Sequence, residues 1–169
     1  NGGPERMMTQ ATTTLLIESS DPQHPQALRL LAEAALEARA LYPELFAPDA
    51  PAPGNPPLRD REVYLLAWRD GRAIGCGALR QRDAFTGELR RMYVSRSARR
   101  DGVARALLLR LEAEARSLGY RQLVLETGVR QAPAIALYRG SGWRRIAPFG
   151  SSVGDALSVC FGKTVPLRP

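Results

Sequence analysis

The distribution of apolar and polar positions along the chain predicts seven strands and three helices. Residues 103–118 give the clearest helix, because Val103, Leu107, Leu111 and Leu118 form one apolar stripe at helical spacing. Two further helices are predicted at 27–41 and 132–139. Strands are predicted at 13–18, 63–68, 73–79, 89–94, 122–126, 143–146 and 157–164. The order of these elements indicates a mixed α/β domain.

The first helix is predicted to bury Leu28, Leu31, Ala35 and Leu36, which recur at helical spacing. Its charged residues fall mostly on the opposite side: Arg29, Glu33, Glu37 and Arg39. After this helix, residues 43–57 contain six prolines, so we expect a long loop without regular structure. A loop of this length in a small domain is usually functional or mobile.

Glycines mark two features of the strands that follow. Asp70 and Gly71 predict a tight hairpin turn between the second and third strands. Gly75 and Gly77 resemble part of a dinucleotide-binding fingerprint, but they lie inside a strand rather than before a helix. A bulge or close packing is therefore the better explanation for this pair.

Length and composition fit a single globular domain, since the chain has 169 residues, of which 44% are hydrophobic. No run of about 18 apolar residues occurs, so neither a spanning helix nor a membrane partner is expected. Residues 1–8 are expected to be a disordered or artificially added N-terminus, which leaves 9–169 as one domain. Cys76 and Cys160 lie far apart and His24 is the only histidine, so we expect free thiols, no metal and a cytoplasmic location.

The net charge of +7 raises the question of a nucleic-acid partner. Only one of the 24 basic residues is a lysine, and the arginines are spread along almost the whole chain. Because no basic block is formed, no nucleic-acid partner is expected. Segment 88–121 carries nine arginines against four carboxylates, a local balance of +5, which a local anionic ligand explains as well as a polynucleotide does.

The first chemical motif lies at a predicted strand-to-helix turn, where residues 99–104 read R-x-x-G-x-A. Backbone N–H groups at a helix start lack internal partners, and the helix dipole adds about half a positive charge there. Gly102 and Ala104 are small enough to let a diphosphate approach those groups, and Arg99, Arg100 and Arg105 would supply counter-charge. An ordinary solvated helix start is the alternative.

The second motif places Gln131, Ala134 and Tyr138 at i, i+3 and i+7 of the short helix, so that they share one face. By itself, Tyr138 is more typical of a packed core tyrosine than of a proton donor. Together the two patterns resemble motifs A and B of the GNAT superfamily, the acyl-CoA-dependent N-acyltransferases. The resemblance runs from Glu88 to Trp143 and keeps all the spacings.

This resemblance implies a GNAT fold, with a mostly antiparallel sheet flanked by helices and splayed between the strand ending at Val94 and strand 122–127. It implies acetyl-CoA as co-substrate, with pantetheine bound in the gap by the backbone at Met92, Tyr93 and Val94. The pyrophosphate would be held at Arg99, Arg100, Asp101, Gly102, Val103, Ala104 and Arg105. Gln131 stands where the family usually has asparagine, and Tyr138 matches the tyrosine that protonates the departing thiolate.

A base is also needed, because presenting a free alkylamine at pH 7 costs about 4–5 kcal/mol. Two carboxylates resemble, in position, the bases of different GNAT branches. Glu88 matches the histone-acetylating branch and Glu126 the branch that acetylates ribosomal-protein N-termini. We prefer Glu88 narrowly and keep Glu126. Structural roles for both remain open, as does a reaction without any protein base.

In the family the acceptor side is built by the segments that correspond here to 42–61 and 148–156. Candidates by location are Tyr42, Phe46, Arg59, Arg61, Phe149 and Ser151. Arg80 and Arg82 would suit an acceptor with a carboxylate or phosphate, solvated surface arginine being the alternative. We expect a small-molecule amine, because no docking domain or peptide-binding insert is evident. Acetylation of a protein N-terminus or lysine, and a non-catalytic acyl-CoA-binding module, are the alternatives; a homodimer is left open.

Overall fold

The computed structural model describes residues 14–167, and all the predicted strands and helices are found there. The helices are α1 Pro25–Leu41, α2 Val103–Ser117 and α3 Ala132–Gly140. The strands are β1 Leu16–Ser19, β2 Val63–Arg69, β3 Arg72–Gln81, β4 Thr86–Val94, β5 Gln122–Gly128, β6 Arg144–Ile146 and β7 Ser158–Thr164. The expectation for residues 1–8, and the start of the domain at residue 9, lie outside the described residues.

The seven strands form one sheet in the order β1-β2-β3-β4-β5-β7-β6. Neighbouring strands are antiparallel except β4 and β5, which run parallel because α2 carries the chain back to the other end of the sheet. The predicted mixed, mostly antiparallel sheet is therefore confirmed. Asp70 and Gly71 both have positive φ at the β2–β3 hairpin, as a tight turn of that type requires.

Helices cover both faces of the sheet. On one face, α1 packs Ala27 and Leu30 against Tyr64 and Leu66 of β2; we call this the α1 face. On the other, the α2–α3 face, Leu107 and Leu111 of α2 and Tyr138 of α3 join a larger core. Among the described residues no helix is long and apolar enough to cross a membrane.

The predicted buried side of α1 is confirmed at Leu31 but is otherwise displaced by part of a turn. Leu28 and Leu36 are exposed, and the buried residues are Ala27, Leu30 and Leu31. The inward stripe continues toward Glu37, whose carboxylate accepts a hydrogen bond from the Tyr93 hydroxyl of β4 at 3.2 Å. A charged residue thus lies on the packed side of the helix, while Leu28 and Leu36 lie outside it.

Gly77 occupies a site of close approach rather than a nucleotide-binding turn. A Cβ atom at this position would lie 2.7 Å from Sδ of Met92 and 2.8 Å from Cδ1 of Leu111. The register between β3 and β4 shifts at the same place, between Cys76 and Ala78. Both parts of the expectation, a bulge and close packing, are therefore confirmed.

The proline-rich segment contains one 3-10 turn, Pro43–Leu45, and no further helix or strand before β2. It is nevertheless fixed to the sheet. Arg80 of β3 donates to the carbonyls of Pro56 and Pro57 and pairs with buried Glu62 at 3.0 Å. This segment therefore covers part of the α1 face next to β4.

Candidate active site

The parallel strands β4 and β5 separate near the middle of the sheet. Their pairing covers Thr86–Leu89 and Gln122–Leu125 and then stops. Beyond it, residues 90–94 of β4 pair only with β3, and residues 126–128 of β5 pair only with β7. The predicted splay is present, and it leaves the backbone of Met92, Tyr93 and Val94 without a strand on its β5 side.

A run of free backbone donors follows β4. Among the described residues, none of the six backbone N–H groups from Arg100 to Arg105 donates a hydrogen bond. Arg100 and Gly102 have φ values of 68° and 79°, and left-handed residues alternating with right-handed ones form anion-binding nests. The helix dipole of α2 adds positive potential at the same point. This arrangement suits a diphosphate, as the motif predicts.

The arginines of this loop do not all fill their predicted role, which is to supply counter-charge to a diphosphate. Arg100 and Arg105 are exposed and form no ion pair within residues 14–167. The Asp101 carboxylate lies 3.4 Å from Arg69, and the Arg99 guanidinium turns back to the carbonyl of Val94 and to Glu37. Only Arg100 and Arg105 thus keep their donors available as counter-charge.

A carboxylate cluster on α1 supports the loop, and sequence reasoning assigned its members to a solvated face. Glu33 accepts a hydrogen bond from the Ser95 hydroxyl and lies 3.3 Å from the Tyr93 hydroxyl, and Glu37 binds Tyr93 and Arg99. Burial raises the pKa of Glu33, but the Ser95 hydroxyl and the Arg29 charge outweigh it and lower the pKa overall. Their inward position could have been found from the spacing of Glu33 and Glu37, which continues the inward stripe of Ala27, Leu30 and Leu31.

The end of β5 is held by Gln131 and Tyr42. The Gln131 side-chain oxygen accepts hydrogen bonds from the Thr127 hydroxyl at 2.6 Å and the Gly128 N–H at 3.1 Å. The Tyr42 hydroxyl accepts the N–H of Arg130 and lies where a Cβ on Gly128 would be, only 1.9 Å away. Gln131 thus fixes the turn into α3 through its oxygen, which leaves only its amide N–H₂ for a cofactor.

Tyr138 lies on the α2–α3 face beside the opening of the split. Its ring packs against Trp143 and Phe161, with centroid distances of 6.0 and 6.1 Å. Phe161 pairs with Leu125, the last β5 residue that still contacts β4. Burial raises the pKa of the Tyr138 hydroxyl to about 12, so the phenol carries its proton at neutral pH.

Both candidate bases lie on the α1 face, because each alternates with a leucine that is buried under α2. Glu88 belongs to the paired part of β4, and its two oxygens each lie 3.5 Å from an arginine, Arg82 or Arg90. Glu126 is exposed, lies beyond the last β4–β5 pair, and accepts a hydrogen bond from the Ser158 hydroxyl at 2.7 Å. Asp155 is 2.9 Å from the same hydroxyl.

The acceptor-side candidates divide into anchors and accessible groups. Tyr42 is buried, and Arg59, Arg61 and Arg80 donate to main-chain carbonyls. Arg82 lies over the Phe149 ring at 4.5 Å. Phe46 packs under Arg39 at 5.5 Å, and Ser151 is part of the 3-10 turn Gly150–Ser152.

Comparison with known proteins decides the family of this fold and site. Residues 27–143 match the acetyltransferase (GNAT) family. The chain belongs to this family. Membership confirms the family that the two motifs indicated, and with it the class of acetyl-CoA-dependent acyltransferases.

Individual relatives agree with this assignment. An IAA acetyltransferase of Azospirillum brasilense is 45% identical over 101 residues, which are 59% of this chain and 66% of that protein. The uncharacterized N-acetyltransferase YsnE of Bacillus subtilis is 38% identical over 109 residues, 63% of this chain and 72% of that protein. The crystal structure of a candidate acyl-CoA N-acyltransferase from Klebsiella pneumoniae has 28% identity and a TM-score of 0.76, covering 90% of this chain and 98% of that one. The sequence matches thus span about two thirds of the length of the first two relatives.

Proposed function

We propose that this GNAT protein transfers the acetyl group of acetyl-CoA directly to a primary amine of a small molecule. The observation that carries the proposal is the split between β4 and β5 next to six free N–H groups at residues 100–105. The amide run would bind the diphosphate, and the unpaired backbone of β4 would bind the pantetheine arm. The thioester would then lie in the split, accessible from the α1 face.

In the proposed reaction the acid and the base act from opposite faces of the sheet. The amine nitrogen forms a bond to the thioester carbonyl carbon, and an unpaired N–H near Val94 stabilises the oxyanion. The C–S bond then breaks, and the Tyr138 hydroxyl on the α2–α3 face donates to the leaving sulfur, which becomes the CoA thiol. The proton lost by the amine passes to a carboxylate on the α1 face.

For the base we favour Glu126 over Glu88, which reverses the narrow preference from the sequence. Glu126 lies in the open part of the split, whereas Glu88 lies where β4 and β5 are still paired. Glu88 is also flanked by two guanidinium groups, which suits it to hold those groups in place. Glu126→Gln is therefore expected to lower kcat about 10²-fold or more at pH 7, in the range of general-base catalysis. Loss of kcat in Glu88→Gln alone would restore Glu88 as the base.

A small acceptor is supported by two observations. The proline-rich segment is fixed against the sheet, since Arg91 donates to the Asn55 side chain and to the carbonyl of Gly54, both at 3.0 Å. A fixed cover over the α1 face limits access for a folded protein. The relative from Azospirillum brasilense is named for IAA, a small molecule. Robust acetylation of protein N-termini or lysines, with none of small amines, would instead favour a protein acceptor.

The cofactor site is tested with a matched pair of glycine variants. Gly102 and Gly71 have φ values of 79° and 71°, and a Cβ at either position would meet nothing within 4 Å. Ala at both positions should cost a similar 1–2 kcal/mol of stability, because both need left-handed backbone. Only Gly102→Ala should weaken binding of CoA and acetyl-CoA, measured by titration calorimetry. Equal CoA affinity in both variants would contradict the assigned diphosphate site.

Turnover separates an enzyme from a binding module. Free CoA thiol is measured while acetyl-CoA is mixed with a panel of primary amines. Tyr138→Phe should keep CoA affinity and lose about 10- to 100-fold in kcat, the value of a hydrogen bond to a charged leaving group. A protein that binds CoA but releases no thiol above background with any amine would be a non-catalytic module.

A further inference from the structure

The arginines on the α1 face near β4 fall into two groups. Arg59 and Arg80 are anchors, since each donates to a main-chain carbonyl and pairs with the buried carboxylate of Glu62. Arg82 and Arg90 differ. Each contacts one oxygen of Glu88 at 3.5 Å, and within residues 14–167 neither guanidinium group donates a hydrogen bond to a main-chain carbonyl.

Arg82 and Arg90 are also accessible. Their side chains are 36% and 53% exposed, whereas Glu88 between them is 14% exposed. Arg82 is oriented by the Phe149 ring beneath it, which belongs to the connection between β6 and β7. The single carboxylate therefore holds two guanidinium groups, one at each oxygen, while it leaves most of their N–H donors available.

The backbone of β4 adds a third positive charge at the same place. Arg91 has a φ of 59°, an unusual value for a residue other than glycine, at the irregularity where β4 shifts register against β3. Burial lowers the pKa of the Arg91 guanidinium, and the nearby charges of Arg90 and Arg80 lower it further. Glu88 is the one carboxylate paired with Arg82 and Arg90, and Arg91 donates to the neutral Asn55 side chain and the Gly54 carbonyl, so among the described residues this surface keeps a net positive charge.

We propose that the acceptor amine carries an oxyanion group, a carboxylate or a phosphate, which Arg82 and Arg90 bind. This inference rests on the proposed acetyl transfer. Guanidinium groups match the geometry of both oxyanions through paired N–H donors. Arg90 lies on the side of β4 where the split begins, so an anion bound there would leave the amine of the same small molecule next to the thioester. Arg82 and Arg90 would thus determine which amines are accepted.

The test compares amines of matched skeleton in the full-length protein: α-amino acids, their amides, their decarboxylated amines and aminoalkylphosphonates. kcat/KM is measured by release of the CoA thiol, and stabilisation of the CoA complex is measured in parallel by thermal shift. Anionic amines should be preferred over the matched neutral ones by about 10-fold or more, since a charge-assisted pair contributes on that order. The carboxylate and phosphonate arms identify the oxyanion.

Arg90→Gln should raise KM for the anionic amines about 10- to 100-fold and leave the neutral ones within about twofold, and Arg90→Lys should restore part of the loss. Arg110→Gln is the control, because Arg110 on α2 is similarly exposed and, in the part of the chain that the structure describes, pairs only with Glu114. Turnover of neutral amines with no preference for anionic ones overturns this inference and leaves the acetyl transfer standing. The inference is equally overturned if no anionic amine is turned over or stabilises the CoA complex. A protein that neither binds CoA nor releases thiol overturns the proposed function itself.

Discussion

Replacement of Glu62 tests how the proline-rich segment is held over the α1 face. The Glu62 side chain is only 1% exposed, and it accepts hydrogen bonds from the N–H groups of Arg59 and Gln81 at 2.8 and 2.9 Å. Burial by itself raises the pKa of this carboxyl, but hydrogen bonds from the two N–H groups and from the Arg80 and Arg59 side chains outweigh it and hold the pKa at about 2.

The contribution of Glu62 to the free energy of unfolding, and its pH dependence, follow from this pKa. Relative to the ordinary 4.5, the lowering corresponds to about 3 kcal/mol of stability at pH 7, at 1.36 kcal/mol per unit. Because the pKa is lower in the folded protein, the unfolded chain takes up the proton first as the pH falls. The contribution is complete above about pH 5, falls to about 1.5 kcal/mol at pH 3, and is lost below about pH 2.

The assay is urea unfolding of the wild type and Glu62→Gln between pH 7 and pH 3. The variant should be less stable by about 3 kcal/mol at pH 7, and the difference should shrink by about half at pH 3. Glu18→Gln is the control, because Glu18 is exposed on β1 and has no ion pair among the residues that the structure describes. A difference that stays below about 0.5 kcal/mol at pH 7, or that does not shrink with pH, would refute the reasoning.

Three further outcomes are expected elsewhere in the molecule. Gly77→Ala should lower the free energy of unfolding by about 1–3 kcal/mol, because its Cβ would overlap Met92 and Leu111; an unchanged urea midpoint would contradict the packing. Gln131→Ala should weaken acetyl-CoA binding by loosening the end of β5, which calorimetry measures; unchanged affinity would mean that the turn holds without this side chain. The buried Cys76 thiol, whose pKa burial raises to about 11, should react with a thiol reagent only after unfolding, and rapid labelling of the native protein would refute this.

Much of the fold could be predicted because its signals are local. The stripe of α2, the Asp70–Gly71 turn and the spacing from Glu88 to Trp143 each depend on neighbouring residues, and the structure confirms them. The buried side of α1 could not be predicted in this way. Its inward stripe ends in Glu37, and a carboxylate counts as solvent-facing until its partners, Tyr93 and Arg99, are known.

The same difference between local signals and contacts made by folding separates the two sides of the candidate site. The amide run at 100–105 follows from a turn glycine and a helix start, which the sequence shows directly. The roles of the arginines do not follow from sequence, since Arg80 and Arg82 are only two residues apart, Arg80 on β3 and Arg82 directly after the end of that strand. Arg80 contacts the proline-rich segment and Arg82 contacts Glu88, contacts that only the folded chain brings together.

The two proposed substrate-binding sites of this protein are built from different kinds of chemical group, and this affects how the protein can evolve. The proposed diphosphate site consists mainly of main-chain N–H groups, so mutation can alter most side chains there while the binding groups persist. The proposed acceptor side consists of side chains on β4, the β3–β4 turn and the β6–β7 connection, where one substitution exchanges one chemical group for another. Under the proposed function, selection can therefore change the accepted amine without rebuilding the site of the acyl donor, and the lineage can explore new acceptors in single steps.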